Sequence, residues 1–121
     1  MTGVQTCALP IYAAVAARTL NFPCDVTDEA SLRNAFVALA KRAGGIDGLV
    51  NNAGIFLEAR SAELATGIYE QVMDTNARSV FIACREVYPY LETRGGTIVN
   101  IGSFFDKLGV KRSLEIGRAH V

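Results

Sequence analysis

Two apolar runs, IDGLVNNAG at 46–54 and GGTIVNIGS at 95–103, constrain the fold more than any other feature of the chain. Each is continuous rather than alternating, so a strand built from either is apolar on both faces. Strands of that kind belong to parallel sheets covered by helices on both sides. The segments around them are helical. TDEASLRNAFVALAKRAGG carries Leu32, Phe36 and Leu39 on one stripe. Thr27 or Asp28 caps its start, acidic and basic residues sit at the matching ends of its dipole, and Gly44 and Gly45 stop it. IYEQVMDTNARSVFIACREVYPYLE is a long second helix with Ile68, Val72, Val80, Cys84 and Val87 at near-helical spacing. Pro89 is expected to bend its last turn. A third apolar run, TLNFPCDV, predicts a strand over Leu20–Cys24, and Pro23 places it at an edge. AAVAAR, from Ala13 to Arg18, reads as the tail of a preceding helix. Strand, helix, strand, helix, strand makes an α/β domain with a parallel sheet.

Bulk properties narrow the function. The 121 residues suffice for one domain at most, and half of them are apolar. Twelve Lys and Arg balance twelve Asp and Glu, which gives no electrostatic case for nucleic acid or an acidic surface. No apolar run reaches the roughly 18 residues a membrane span requires, and there is no basic start with a long apolar core to make a signal peptide. Cys7, Cys24 and Cys84 form neither a metal spacing nor a disulfide framework, so a reducing cytoplasm is expected.

The two ends read as foreign. IGRAHV, at Ile116–Val121, is one frame of a widely used sequencing-library adapter. The reverse complement of that adapter translates as VTGVQTCALPI, and Met1–Ile11 reads MTGVQTCALPI, as it would with a GTG start codon. The expected division is residues 1–12 as adapter translation, 13–114 as the authentic partial domain and 115–121 as adapter again. His120, the single histidine, falls in the excluded part, so no histidine base or metal ligand is expected, and no metal site.

In open α/β sheets the ligand lies beyond the carboxyl ends of the strands. Asp25 follows the first run, Asn51-Asn52-Ala53-Gly54 end the second and Ser103 ends the third. DVTD at 25–28, NNAG at 51–54, Asn76 within the long helix and GGTIVNIGS at 95–103 stand in an order that resembles the short-chain dehydrogenase/reductase family. The resemblance covers nearly all of residues 13–114 and implies a fragment of a Rossmann-like doubly wound parallel sheet: the family's strands 3, 4 and 5 with the intervening helices.

It also implies roles. Asp25 would hydrogen-bond the adenine of NAD or NADP, with Val26 beside it. Asn52, Ala53 and Gly54 would line the adenosine side, largely through main chain, which a Cβ at Gly54 would obstruct. Asn76 would join the catalytic set, its main chain holding a water of the proton relay. Ser103 would hydrogen-bond the reacting oxygen of a small alcohol or carbonyl substrate. The family's Tyr-x-x-x-Lys would begin at position 116, which here is Ile116. Neither the Gly-rich turn nor the strand end that selects NAD or NADP is among these residues. The implied protein is a homo-oligomeric oxidoreductase, with the long helix at a subunit interface. The alternative is a non-catalytic dinucleotide-binding or scaffold relative.

Without the family pattern each residue has a plainer explanation. Asp25 and Ser103 are common in turns, Asn76 could face solvent, and Cys24 and Cys84 are small core residues. Lys107, Lys111 and Arg112 read as a solvated loop.

Overall fold

A computed structural model of the chain describes residues 19–57, 60 and 62–103. Its elements run α1 (Glu29–Ala43), β1 (Gly48–Asn51), α2 (Thr66–Met73), a wide π-helical turn (Asp74–Arg78), α3 (Ser79–Arg94) and β2 (Thr97–Asn100). The two strands pair in parallel and in register, Gly48 with Thr97 through Asn51 with Asn100. The long helix between them is the crossover that a parallel pair requires.

α1 starts where its sequence says. Asp28 is the cap, its carboxylate accepting the N–H groups of Ala30 at 3.1 Å and Ser31 at 3.2 Å. At the other end the Gly44 N–H donates to the Ala40 carbonyl. Leu32 is buried, while Phe36 and Leu39 are half-buried and pack against the core. The core lies between α1, α3 and β1. Leu32, Ile82 and Ala83 form one cluster, and Ile46, Val87 and Leu91 the next, with Phe36 and Leu49 touching both.

The second helix departs from its expected register. Its buried stripe is Val72, Thr75, Ser79, Ile82 with Ala83, Val87 and Leu91, whereas Ile68 is exposed and Val80 and Cys84 are only half-buried. The stripe keeps ordinary helical spacing from Val72 through Thr75 to Ser79, so the buried face passes through the wide turn unbroken. The Thr75 hydroxyl donates to the Gln71 carbonyl at 2.9 Å and the Ser79 hydroxyl to the Thr75 carbonyl, so both buried hydroxyls are satisfied one turn back. α3 then continues through Pro89 to Arg94.

Leu20–Cys24 is not a strand. It is extended, and burial alternates from Asn21 to Val26, with Phe22, Cys24 and Val26 turned inward. No strand among the described residues pairs with it, and without a neighbour there is no ladder. Between this run and β1 lies a cavity of about 300 Å³, with α1 and α3 also lining it. The expected cover on both sheet faces is also absent among the described residues. Leu49 and Asn51 face the helices, but Val50, Val99 and Ile101 remain exposed.

Candidate functional site

Asp25 stands at the end of the extended run, in a turn built by its own side chain. Its Oδ1 accepts both the Thr27 N–H at 2.9 Å and the Thr27 hydroxyl at 2.7 Å. This is an Asx-type turn, which Asp favours because its short carboxylate reaches the backbone two residues on. The Asp25 N–H donates to the Ser31 hydroxyl at 2.9 Å, anchoring the turn to α1. The Thr27 hydroxyl, and then the Thr27 N–H, hold the Asp25 carboxyl below the usual carboxylate range. The group is therefore an ionised acceptor at neutral pH. Its second oxygen has no partner among the described residues. The side chain of Val26 points the other way, into the Leu32, Ile82 and Ala83 cluster, so it is the main chain of Val26 that lies beside Asp25.

β1 ends at Asn51, which belongs to the sheet. Its amide donates to Asn100 Oδ1 at 2.8 Å, linking the two strand ends, and lies 3.5 Å from the Cys84 sulfur. Asn52, Ala53 and Gly54 follow in an exposed loop. Ser103 lies beyond the end of β2, also exposed. Parallel pairing therefore brings the Asn52–Gly54 loop and the Ser103 segment to the same edge.

The wide turn ties this edge together. Asn76 Oδ1 accepts the Ile55 N–H at 2.8 Å, and Asn76 Nδ2 donates to the Ile55 carbonyl at 2.8 Å. The side chain thus clamps the loop after β1 as a neighbouring strand would. Asn76 stays exposed to solvent while its side chain makes both bonds. A Cβ on Gly54 would lie 3.3 Å from Asn76 Oδ1, so glycine lets the loop approach the clamp. Two participants carried no sequence signal of their own. Ile55 is an ordinary apolar residue, and Arg78, whose guanidinium donates to the Thr27 carbonyl at 3.3 Å, is 51 positions away from it. Thr27 could have been found from the Asp-x-Thr pattern.

Neither the Tyr-x-x-x-Lys position nor the basic residues Lys107, Lys111 and Arg112 lie among the described residues. No cluster of potential metal ligands occurs among those that do. No described helix is long and apolar enough to cross a membrane.

An α/β fold with its polar loops gathered at the carboxyl ends of parallel strands defines the class. The short chain dehydrogenase family model matches residues 4–113, overlapping part of Met1–Ile11 and ending before Ile116. The chain belongs to the short-chain dehydrogenase/reductase family of oxidoreductases. It is 42% identical over 94 residues to 2-(R)-hydroxypropyl-CoM dehydrogenase of Xanthobacter autotrophicus, covering 74% of this chain and 38% of that protein. It is 35% identical over 107 residues to the inactive 2-(S)-hydroxypropyl-CoM dehydrogenase 2 of the same organism, covering 86% of this chain and 46% of the relative. A double mutant of a Serratia marcescens short-chain dehydrogenase/reductase superposes with a TM-score of 0.74 at 31% identity, over 80% of this chain and 39% of that one. The chain thus spans less than half the length of these relatives.

Proposed function

We propose that residues 13–114 are the central part of an NAD(P)-dependent oxidoreductase that moves hydride between the nicotinamide and a small alcohol or ketone, with residues 1–12 and 115–121 as adapter translation. The observation that carries it is the Asn76 clamp on Ile55, because it joins the helix bearing one expected catalytic residue to the loop expected to hold the cofactor. The residues fit a dinucleotide. The open oxygen of Asp25 suits the exocyclic amine of adenine, and Asn52, Ala53 and Gly54 offer an exposed main chain. The nicotinamide supplies the hydride acceptor or donor when bound. Ser103 donates a hydrogen bond to the reacting oxygen as charge develops there. Asn76 fixes the loop with its side chain, which leaves its main chain for a water. The dehydrogenation of a hydroxyl compound named in the Xanthobacter relative supports the substrate class. A cytoplasmic homo-oligomer assembled through the long helix completes the proposal.

The test uses the longest protein that the source genome encodes through residues 19–103. It is expected to reduce NAD or NADP with an alcohol, and Ser103→Ala is expected to lower kcat by roughly 10²–10³-fold. Dinucleotide binding with no turnover on any alcohol or ketone would favour the non-catalytic alternative, for which the inactive Xanthobacter relative is a precedent. The chain by itself is expected to be inactive, since it carries no Tyr-x-x-x-Lys.

A further inference from the structure

The wide turn Asp74–Arg78 reaches in two directions. Asn76 holds the loop after β1, as described. Two residues on, Arg78 Nη1 donates to the Thr27 carbonyl at 3.3 Å and lies 3.9 Å from Asp74 Oδ1 on its own turn. Thr27 is the residue whose N–H and hydroxyl orient the Asp25 carboxylate. Arg78 therefore grips the turn on its carbonyl side while Thr27 grips Asp25 on its amide and hydroxyl side. From below, Val26 packs into the cluster with Ile82 and Ala83 on α3, so the same helix supports the turn through its core as well. One helical segment thus fixes both the Asp25 turn and the Asn52–Ile55 loop.

We propose that Arg78 is a positioning residue for the adenosine end of the cofactor: by holding the Thr27 carbonyl it sets the place of the Asp25 carboxylate relative to the loop that Asn76 holds. The proposal rests on the assignment of Asp25 as the adenine acceptor. A fixed acceptor binds more tightly than a mobile one, because less ordering remains to be done on binding. Arg78 is about half exposed, so its bond is weakened by water and the expected effect is modest. The guanidinium fits this post because its Nη1 alone faces both the Thr27 carbonyl and the Asp74 carboxylate.

The experiment uses the longest protein encoded through residues 19–103, with Arg78→Ala and Arg78→Lys. Three quantities are read: amide hydrogen exchange over residues 25–31, the Kd for ADP-ribose (the cofactor without its nicotinamide) and the Tm. Arg78→Ala is expected to speed exchange in this segment and to raise the Kd about fivefold while the Tm stays put. Arg78→Lys is expected to restore most of both, since an ammonium can still donate to the Thr27 carbonyl. Unchanged exchange overturns the proposal, as does faster exchange with an unchanged Kd. So does a Kd that rises only in step with a falling Tm, or a Lys variant no better than Ala. Asp25→Ala separates the two layers. If it leaves the Kd unchanged, the acceptor assignment fails, and the exchange data still decide whether Arg78 holds the turn.

Discussion

The helical layer and the sheet of this chain are built from similarly apolar sequence, yet they reach different degrees of burial. On α3, Ile82 and Val87 are 1% and 0% exposed; on β1, Val50 is 62% exposed, and Ile101 beyond β2 is 57% exposed. The helices complete their backbone hydrogen bonds within themselves, and two of them suffice to bury a shared stripe. A strand completes its bonds only with neighbours, and an apolar strand needs a layer on each face. β1 has a partner on one edge and helices on one face. The sheet therefore carries the imprint of surroundings that the described residues do not supply, and the outer side of the helical layer shares it at Phe81, 63% exposed, and Tyr88, 57% exposed. An exposed apolar face beside an unpaired edge is also an association hazard.

Substitutions of like residues in the two regions give the largest contrast. Ile82→Ala is expected to cost roughly 2–5 kcal/mol in a urea melt, the range for a large-to-small change in a packed core. Val50→Thr is expected to change stability by less than about 0.5 kcal/mol, as an exposed substitution does. It is also expected to reduce self-association in sedimentation. Equal costs at the two sites would break the comparison.

Next in size is the joint between the layers. Gly45 has φ +147°, and a Cβ there would run into the Arg94 guanidinium. Arg94 ties the end of α3 to the Gly44 carbonyl at 2.7 Å and to Asp47 at 3.0 Å. Gly45→Ala is expected to cost about 1–3 kcal/mol through backbone strain, with thermal melts as the measurement. Asp28→Ala removes a cap shared by two N–H groups and is expected to cost about 1 kcal/mol, read as lower helicity and a lower Tm.

The smallest effect concerns acid. Hydrogen bonds from Arg85 to Glu29, from Arg33 and Arg85 to Glu86, and from Thr27 to Asp25 hold all three carboxyls below their ordinary values. Groups with depressed folded values stabilise the fold above their unfolded pKa, near 4, and lose that contribution as pH falls through the folded values. Tm is therefore expected to be level from neutral pH down to about 5 and to fall below that. Asp25 is exposed and Glu29 partly so, while Glu86 is half-buried at the surface, so the decline is shallow and should weaken further in high salt.

Most of the helical layer was legible in the sequence because its signals are local. Asp28, Gly44, and the Leu32, Phe36 and Leu39 stripe each act within a few residues, and each is where the pattern put it. β1 and β2 were legible as apolar runs, and their parallel pairing followed from the helix between them. The strand at Leu20–Cys24 was not legible correctly, since an extended run becomes a strand only beside a partner. The wide turn was missed as well, because its sequence DTNAR is compatible with an ordinary helix and only the backbone bonding, with the Ser79 N–H reaching back to the Asp74 carbonyl, reveals it. Of the site, the residue types were visible as a family pattern, but the contacts that join them were not. Asn76 to Ile55 and Arg78 to Thr27 are long-range pairings with no local signature.

The most direct measurement is a long sequencing read through this locus in the source genome. If the open apolar face and unpaired edge belong to a larger sheet, the frame continues past Leu114, with Tyr at 116 and Lys at 120. It also extends upstream of Ala13 through a Gly-rich turn. A genome that encodes IGRAHV followed by a stop, with MTGVQTCALPI at the start, would contradict the account and leave the exposed sheet face as the protein's own surface.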